Sequence, residues 1–177
     1  MIMAEKMIIY TYPNPILRAK AEPVENIDED IQKLVNGMAE TMYAAPGVGL
    51  AANQVGGTKQ VLVYDLSAKD AGLNLSVIIN PEIVLAEGDV VHEESCLSVI
   101  DFSAEVRRMS RIKVRGVDRH GNPVDIEAED LLARCLQHEI DHLNGVLFID
   151  HISSLKRALY KKKLKKNQNW AGPPKSP

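Results

Sequence analysis

The stretch Asp130–Gly145, DLLARCLQHEIDHLNG, carries both a fold signal and a chemical one. Leu131, Leu132, Cys135 and Leu136 recur at helical spacing and Asn144-Gly145 offers a left-handed cap, so a helix is expected from Asp130. His138 and His142, four residues apart, share one face of that helix, with Cβ atoms roughly 5 to 6 Å apart, so both can reach one metal ion. Glu139 follows directly, where a carboxylate can take a water's proton without ligating the ion itself. Such a trio also occurs as ordinary surface residues, but the periodicity turns His138 and His142 inward with Cys135.

A catalytic ion needs a third protein ligand and an open position. Thermolysin-like proteases take a downstream glutamate, yet no Glu occurs from Leu143 to Pro177. The metzincin pattern finds its glycine in Gly145 but meets Phe148 where a third histidine belongs. Cys135, His138 and His142 span about 10 Å of helical rise and do not converge from one straight helix, so Cys135 reads as core. Cys96, in Glu93-Glu94-Ser95-Cys96-Leu97-Ser98, reads either as a presented thiolate or as an inert buried thiol.

Outward from the metal helix, Ile112, Val114 and Val117 lead into the turn residues 118–123. Val124, Ile126 and Ala128 then alternate with Asp125, Glu127 and Glu129, an antiparallel hairpin. Val61–Tyr64, Val77–Ile79 closed by Asn80-Pro81, and Ile83–Leu85 read as further strands. Asn26 and Glu29 form a capping pattern before Ile27, Ile31, Leu34, Met38 and Met42, a helix that should stop before Pro46-Gly47. Ser153 caps a last helix, 153–166, carrying Leu155, Leu159 and Leu164, and 167–177 is expected to be a loose tail. The expectation is an α+β fold in a single domain over 1–177, with mostly antiparallel short sheets packed around the metal-binding helix and a C-terminal helix.

The 177 residues, 45% hydrophobic and 25% charged, suit one soluble domain. No apolar run reaches the roughly 18 to 20 residues of a membrane span, and a cytoplasmic protein without a cleaved signal or membrane association is expected. Cys96 and Cys135 would then stay free thiols. Eight of the 21 Lys and Arg residues lie in 153–177, which has no acid, leaving 13 bases against 24 acids before it. That basic segment, with Lys156-Arg157, Lys161-Lys162-Lys163 and Lys165-Lys166, is either a solvated helix face or a surface for RNA or an acidic partner.

Three segments, Gly47–Gln54 (GVGLAANQ), Glu94–Ser98 (ESCLS) and Gln137–Leu143 (QHEIDHL), resemble in order and spacing the three motifs of the peptide deformylase family, and the similarity runs from about Thr11 to Phe148. Read without the other motifs, Gly47–Gln54 is only a loop between helix and strand. The resemblance implies Cys96, His138 and His142 as ligands to one divalent metal, Fe2+ by family and Zn2+ or Ni2+ by ligand chemistry. It implies Glu139 as the proton carrier, Gln54 and the Leu97 amide as the oxyanion site, and Gly49 and Ser95 on the substrate backbone. Val48, Leu131 and Cys135, edged by Arg134, would line a pocket for the methionine side chain. The implied reaction releases formate from N-formylmethionyl peptides and nascent chains, with ribosome contact through the basic helix. Ser95 stands where the family has glycine, and Ile100 where it usually has proline. These departures raise the alternative of a deformylase-like metal-binding protein with weak or lost activity.

Overall fold

The structure, a computed structural model, describes residues 5–68 and 72–168. Helix α1, Glu29–Ala44, is followed by strands β1 (Gly49–Ala51), β2 (Val61–Tyr64) and β3 (Ser76–Glu87). Next come β4 (Val90–Cys96), β5 (Val99–Arg108), β6 (Arg111–Val117) and β7 (Pro123–Glu129), then α2 (Asp130–Leu143) and α3 (Ser154–Gln168). The strands form a five-stranded sheet in the order β1-β2-β3-β6-β7 and a separate pair β4-β5. All these strand pairings are antiparallel, and α2 packs on β1, β2, β6 and β7, the α+β arrangement expected. Among the described residues no helix is long and apolar enough to cross a membrane.

Helix α1 buries Ile31, Val35, Met38 and Met42 against the large sheet and ends before Pro46-Gly47. Its cap is Asp28 rather than Asn26: the Asp28 carboxylate accepts from the free amides of Asp30 and Ile31, while Ile27 packs against the core. The Asn80-Pro81 stop signal does not end a strand. Asn80 has φ 52, the register shifts between Ile79 and Glu82, and the side chain of Asn80 bonds the Val24 amide and carbonyl. Proline cannot donate to a ladder, so this irregularity passes β3 from its β2 partner to its β6 partner.

Strands β4 and β5 were not expected, because inward positions that normally carry apolar residues hold Glu94 and Arg108. Their bidentate ion pair, Nε to Oε1 at 2.8 Å and Nη2 to Oε2 at 3.0 Å, lets both charges be buried. Around this pair a second core gathers Leu17, Val106, Leu147, Phe148 and Ile149, apart from the main core between α1, α2 and the large sheet. Ser153 caps α3 through the Lys156 amide, and the helix runs to Gln168, two residues past the expected end. Tyr160 and Leu164 face the second core, whereas Leu155 and Leu159 are 69% and 58% exposed. The rest of the tail, 169–177, lies outside the described residues.

Candidate metal centre

Strand β7 passes into α2 with no linker, Asp130 taking φ 50 at the junction. Asp is one of the few residues with a Cβ that enters this region readily. At the other end Gly145, φ 73, donates to the His142 carbonyl at 2.9 Å, and a Cβ there would stand 2.4 Å from the Arg18 carbonyl oxygen. The helix bearing His138, Glu139 and His142 is thus fixed at both ends.

The hairpin β4-β5 brings Cys96 to this helix. Cys96 Sγ lies 3.2 Å from His142 Nε2, which lies 3.2 Å from His138 Nε2. The three donor atoms fall within 4.8 Å of one another. A tetrahedral ion with Zn–N and Zn–S bonds of about 2.0 to 2.3 Å sets donor separations of roughly 3.3 to 3.6 Å, and the two 3.2 Å separations lie close to that range. His138 Nδ1 faces Glu94 Oε2 at 3.0 Å, an arrangement that would leave Nε2 available to a metal ion. Burial works against ionisation of Glu94, but hydrogen bonds from His138 and Arg108 hold its carboxyl down at about 2. Arg108 also reaches Asp141 at 2.5 Å, and Asp141 meets His151 Nε2 at 2.7 Å.

Glu139 is buried beside the cluster, its Oε2 without a hydrogen-bond partner among the described residues. Burial raises its carboxyl to about 7, a value suited to accepting and returning a proton near neutral pH. Gln54 sits in a 3-10 turn, Ala52–Val55, after β1; the Ala51 amide holds its Oε1 at 2.9 Å. Its Nε2 points to Ser98 Oγ at 3.1 Å and Cys96 Sγ at 3.6 Å. The segment before α1 ties the two motif loops together, the Tyr10 amide bonding the Gln54 carbonyl and the Tyr12 amide the Ser98 carbonyl, each at 2.8 Å.

A cleft of about 340 Å³ opens above the cluster. Its lining brings together Val48, Gly49, Gln54, Ser95, Cys96, Leu97, Leu131, Arg134, Cys135, His138 and Glu139, while His142 lies beneath. Val48 and Leu131 stand at its edge, 48% and 45% exposed, and Cys135 at its base, where burial pushes the thiol up. Ile100 lies outside this cleft, along the neighbouring groove of the β4-β5 hairpin. Sequence reasoning assigned no part to Arg108, and none to Glu94, Ser98 or Asp141 beyond their places in the motifs. The signal for Glu94 was its offset of two from Cys96, which on a strand puts both on one face.

A cysteine sulfur and two imidazoles able to hold a metal ion, beside a buried carboxylate and under an open cleft, form an arrangement suited to a metal-dependent hydrolase. The family model for polypeptide deformylase matches residues 6–158. A peptide deformylase of Thermodesulfovibrio yellowstonii is 51% identical over 157 residues, 89% of this chain and 95% of that protein. One of Rhizobium meliloti is 55% identical, over 82% of this chain and 84% of its own. The crystal structure of a peptide deformylase from Legionella pneumophila superposes with a TM-score of 0.85 at 45% identity, over 93% of this chain and 96% of that one. That of Ehrlichia chaffeensis in complex with actinonin gives 0.86 at 42% identity, over 92% and 98%. The chain belongs to the polypeptide deformylase family, metal-dependent hydrolases that remove N-formyl groups.

Proposed function

We propose that Cys96, His138 and His142 hold one divalent ion, Fe2+ in the cell, and that the substrate is the N-formylmethionyl end of new polypeptides in the cytoplasm. The observation that supports this best is the convergence of three donor atoms from two distant segments beside a buried Glu139. The ion, when bound, supplies the Lewis acidity that makes a water nucleophilic near neutral pH. Glu139 takes the proton of the attacking water through its unpartnered Oε2. As the formyl carbonyl becomes tetrahedral, Gln54 Nε2 and the Leu97 amide donate to its oxygen, where negative charge develops. Glu139 then returns the proton to the departing nitrogen, the C–N bond breaks, and formate and a free amino terminus leave.

Val48, Gly49 and Ser95 present backbone to the substrate, and Leu131 and Cys135 flank the methionine side chain. Ser95 adds a side chain at the cleft wall where the family has glycine, and it bears on which second residue is accepted. The alternative of a retired, metal-binding relative finds no support in relatives about half identical over most of the chain. The exposed lysines of α3 would make a weak, salt-sensitive contact with ribosomal RNA. Replacing Lys161, Lys162, Lys165 and Lys166 with Gln should abolish ribosome co-sedimentation at low salt and leave hydrolysis of a small formyl peptide unchanged. Formate release from a formyl-Met peptide by anaerobically purified, Fe2+- or Ni2+-loaded protein tests the main reading. Glu139→Gln should abolish it with metal content intact, and undiminished release would refute the assigned role.

A further inference from the structure

Strand β5 is irregular beside Cys96. Ser95 lies opposite Ser103 but Cys96 lies opposite Val99, so Ile100–Phe102 stand out of the ladder as a bulge. A bulge re-aims neighbouring side chains but leaves its own backbone groups without ladder partners. Asp101, at its centre, takes φ 54, the left-handed region that Asp enters more readily than most residues with a Cβ.

Helix α3 supplies what the ladder does not. Tyr160 Oη donates to the Ile100 carbonyl at 3.4 Å, and Lys163 Nζ donates to the Asp101 carbonyl at 3.2 Å. The buried Tyr160 ring stacks on Phe102, centroids 4.4 Å apart and planes 26° from parallel. The stack continues from Phe102 to Phe148 at 6.0 Å and from Phe148 to the imidazole of His138 at 6.2 Å, with planes 20° and 25° from parallel.

We propose that Tyr160, assisted by Lys163, is a positioning residue of the metal centre, acting through the bulge on Cys96 and through the aromatic column on His138. The inference rests on the reading of Cys96, His138 and His142 as ligands. Two of those three donors are thereby supported from α3, a helix that contributes no ligand. Loss of the support leaves the ligands present but looser in direction, a change that metal affinity reports independently of turnover.

The test uses the full chain and Ni2+ alone, with affinity read by chelator competition and site geometry by the absorption of the Co2+-substituted protein. Tyr160→Leu, which keeps apolar bulk but removes ring and hydroxyl, should weaken Ni2+ binding about 10-fold, the scale of an outer-shell partner, and alter the Co2+ spectrum. Tyr160→Phe keeps the stack but loses the bond to the Ile100 carbonyl, and should fall between wild type and Tyr160→Leu in both. Lys163→Ala, on an exposed side chain, should speed Ni2+ loss without lowering the thermal midpoint. Native affinity and spectrum in both Tyr160→Leu and Lys163→Ala overturn the inference, whatever happens to thermal stability. If Tyr160→Leu fails to fold, Lys163→Ala decides alone, faster loss supporting and a native rate overturning. Wild-type protein that takes up no Ni2+ overturns the ligand reading and this inference together.

Discussion

A methyl group placed on Gly49 would stand 2.7 Å from Glu139 Oε1, 3.0 Å from its Cγ and 2.9 Å from Cys135 Sγ. Ordinary contact begins at 3.4 Å, so the carboxylate of Gly49→Ala must retreat by about 0.7 Å. Its environment is buried, and β1, which carries Gly49, is fully buried as well, so the side chain yields before the backbone does. A displacement near 1 Å at a reacting group costs on the order of 10²-fold in rate, so kcat should fall roughly 10- to 100-fold, or about 1.4 to 2.7 kcal/mol. The Ni2+-loaded variant, assayed by formate release from a formyl-Met peptide, should keep its metal stoichiometry and show the loss in kcat. A loss confined to KM would point to a steric clash with substrate instead. Activity within about twofold of wild type, below the scale expected for a misplaced reacting group, would refute the tight seat described for Glu139.

Other consequences follow from the supports of the site. Arg108→Ala strips Glu94 of its bidentate partner in a nearly water-free position and should lower unfolding free energy by about 3 kcal/mol or more, measured in urea. Gly145→Ala forces a Cβ into both a left-handed backbone and the Arg18 carbonyl; a thermal midpoint unchanged from wild type would contradict that packing. Asp65 accepts from the Ser67 hydroxyl, Tyr43, the Ser67 amide and the Asn74 amide, which hold its carboxyl below the usual range. A folded value below the unfolded one adds stability above pH about 4 that fades as pH falls through the folded value. The stability gap between wild type and Asp65→Asn should therefore be widest near neutrality and narrow toward pH 3. A gap of constant size across that range would count against the network.

The parts of the molecule legible in sequence are those where side-chain periodicity and backbone geometry agree. Helix α2 declared itself because its apolar face, its histidine spacing and its Asn144-Gly145 exit all point to one element. The hairpin β6-β7 did so because its register pairs Ile112 with Ala128 and Val114 with Ile126 on one face, and Lys113 with Glu127 and Arg115 with Asp125 on the other. The β4-β5 pair stayed hidden because a buried ion pair occupies positions that alternation reserves for apolar residues, and no local pattern announces a partner 14 residues away. With those strands went the support of His138 by Glu94, which becomes visible only when a strand and a helix 44 residues apart are set side by side. The packing face of α3 was not legible for a related reason. Of its three leucines, Leu155 and Leu159 are exposed and Leu164 packs on the second core, where the ring of Tyr160 stacks on Phe102.

The seam between Glu129 and Asp130, where strand becomes helix without a spare residue, makes chain length at that point a catalytic variable. One inserted residue would turn α2 by about 100° about its axis and carry it about 1.5 Å along. Both imidazoles would then point away from Cys96 while every residue of the site remained present. The turn at 118–122, by contrast, hangs from the far end of the same hairpin and is solvent-exposed at its tip. Insertions and deletions should therefore be admitted there and refused at the seam, a contrast in tolerated length that a library of single-residue indels would map directly.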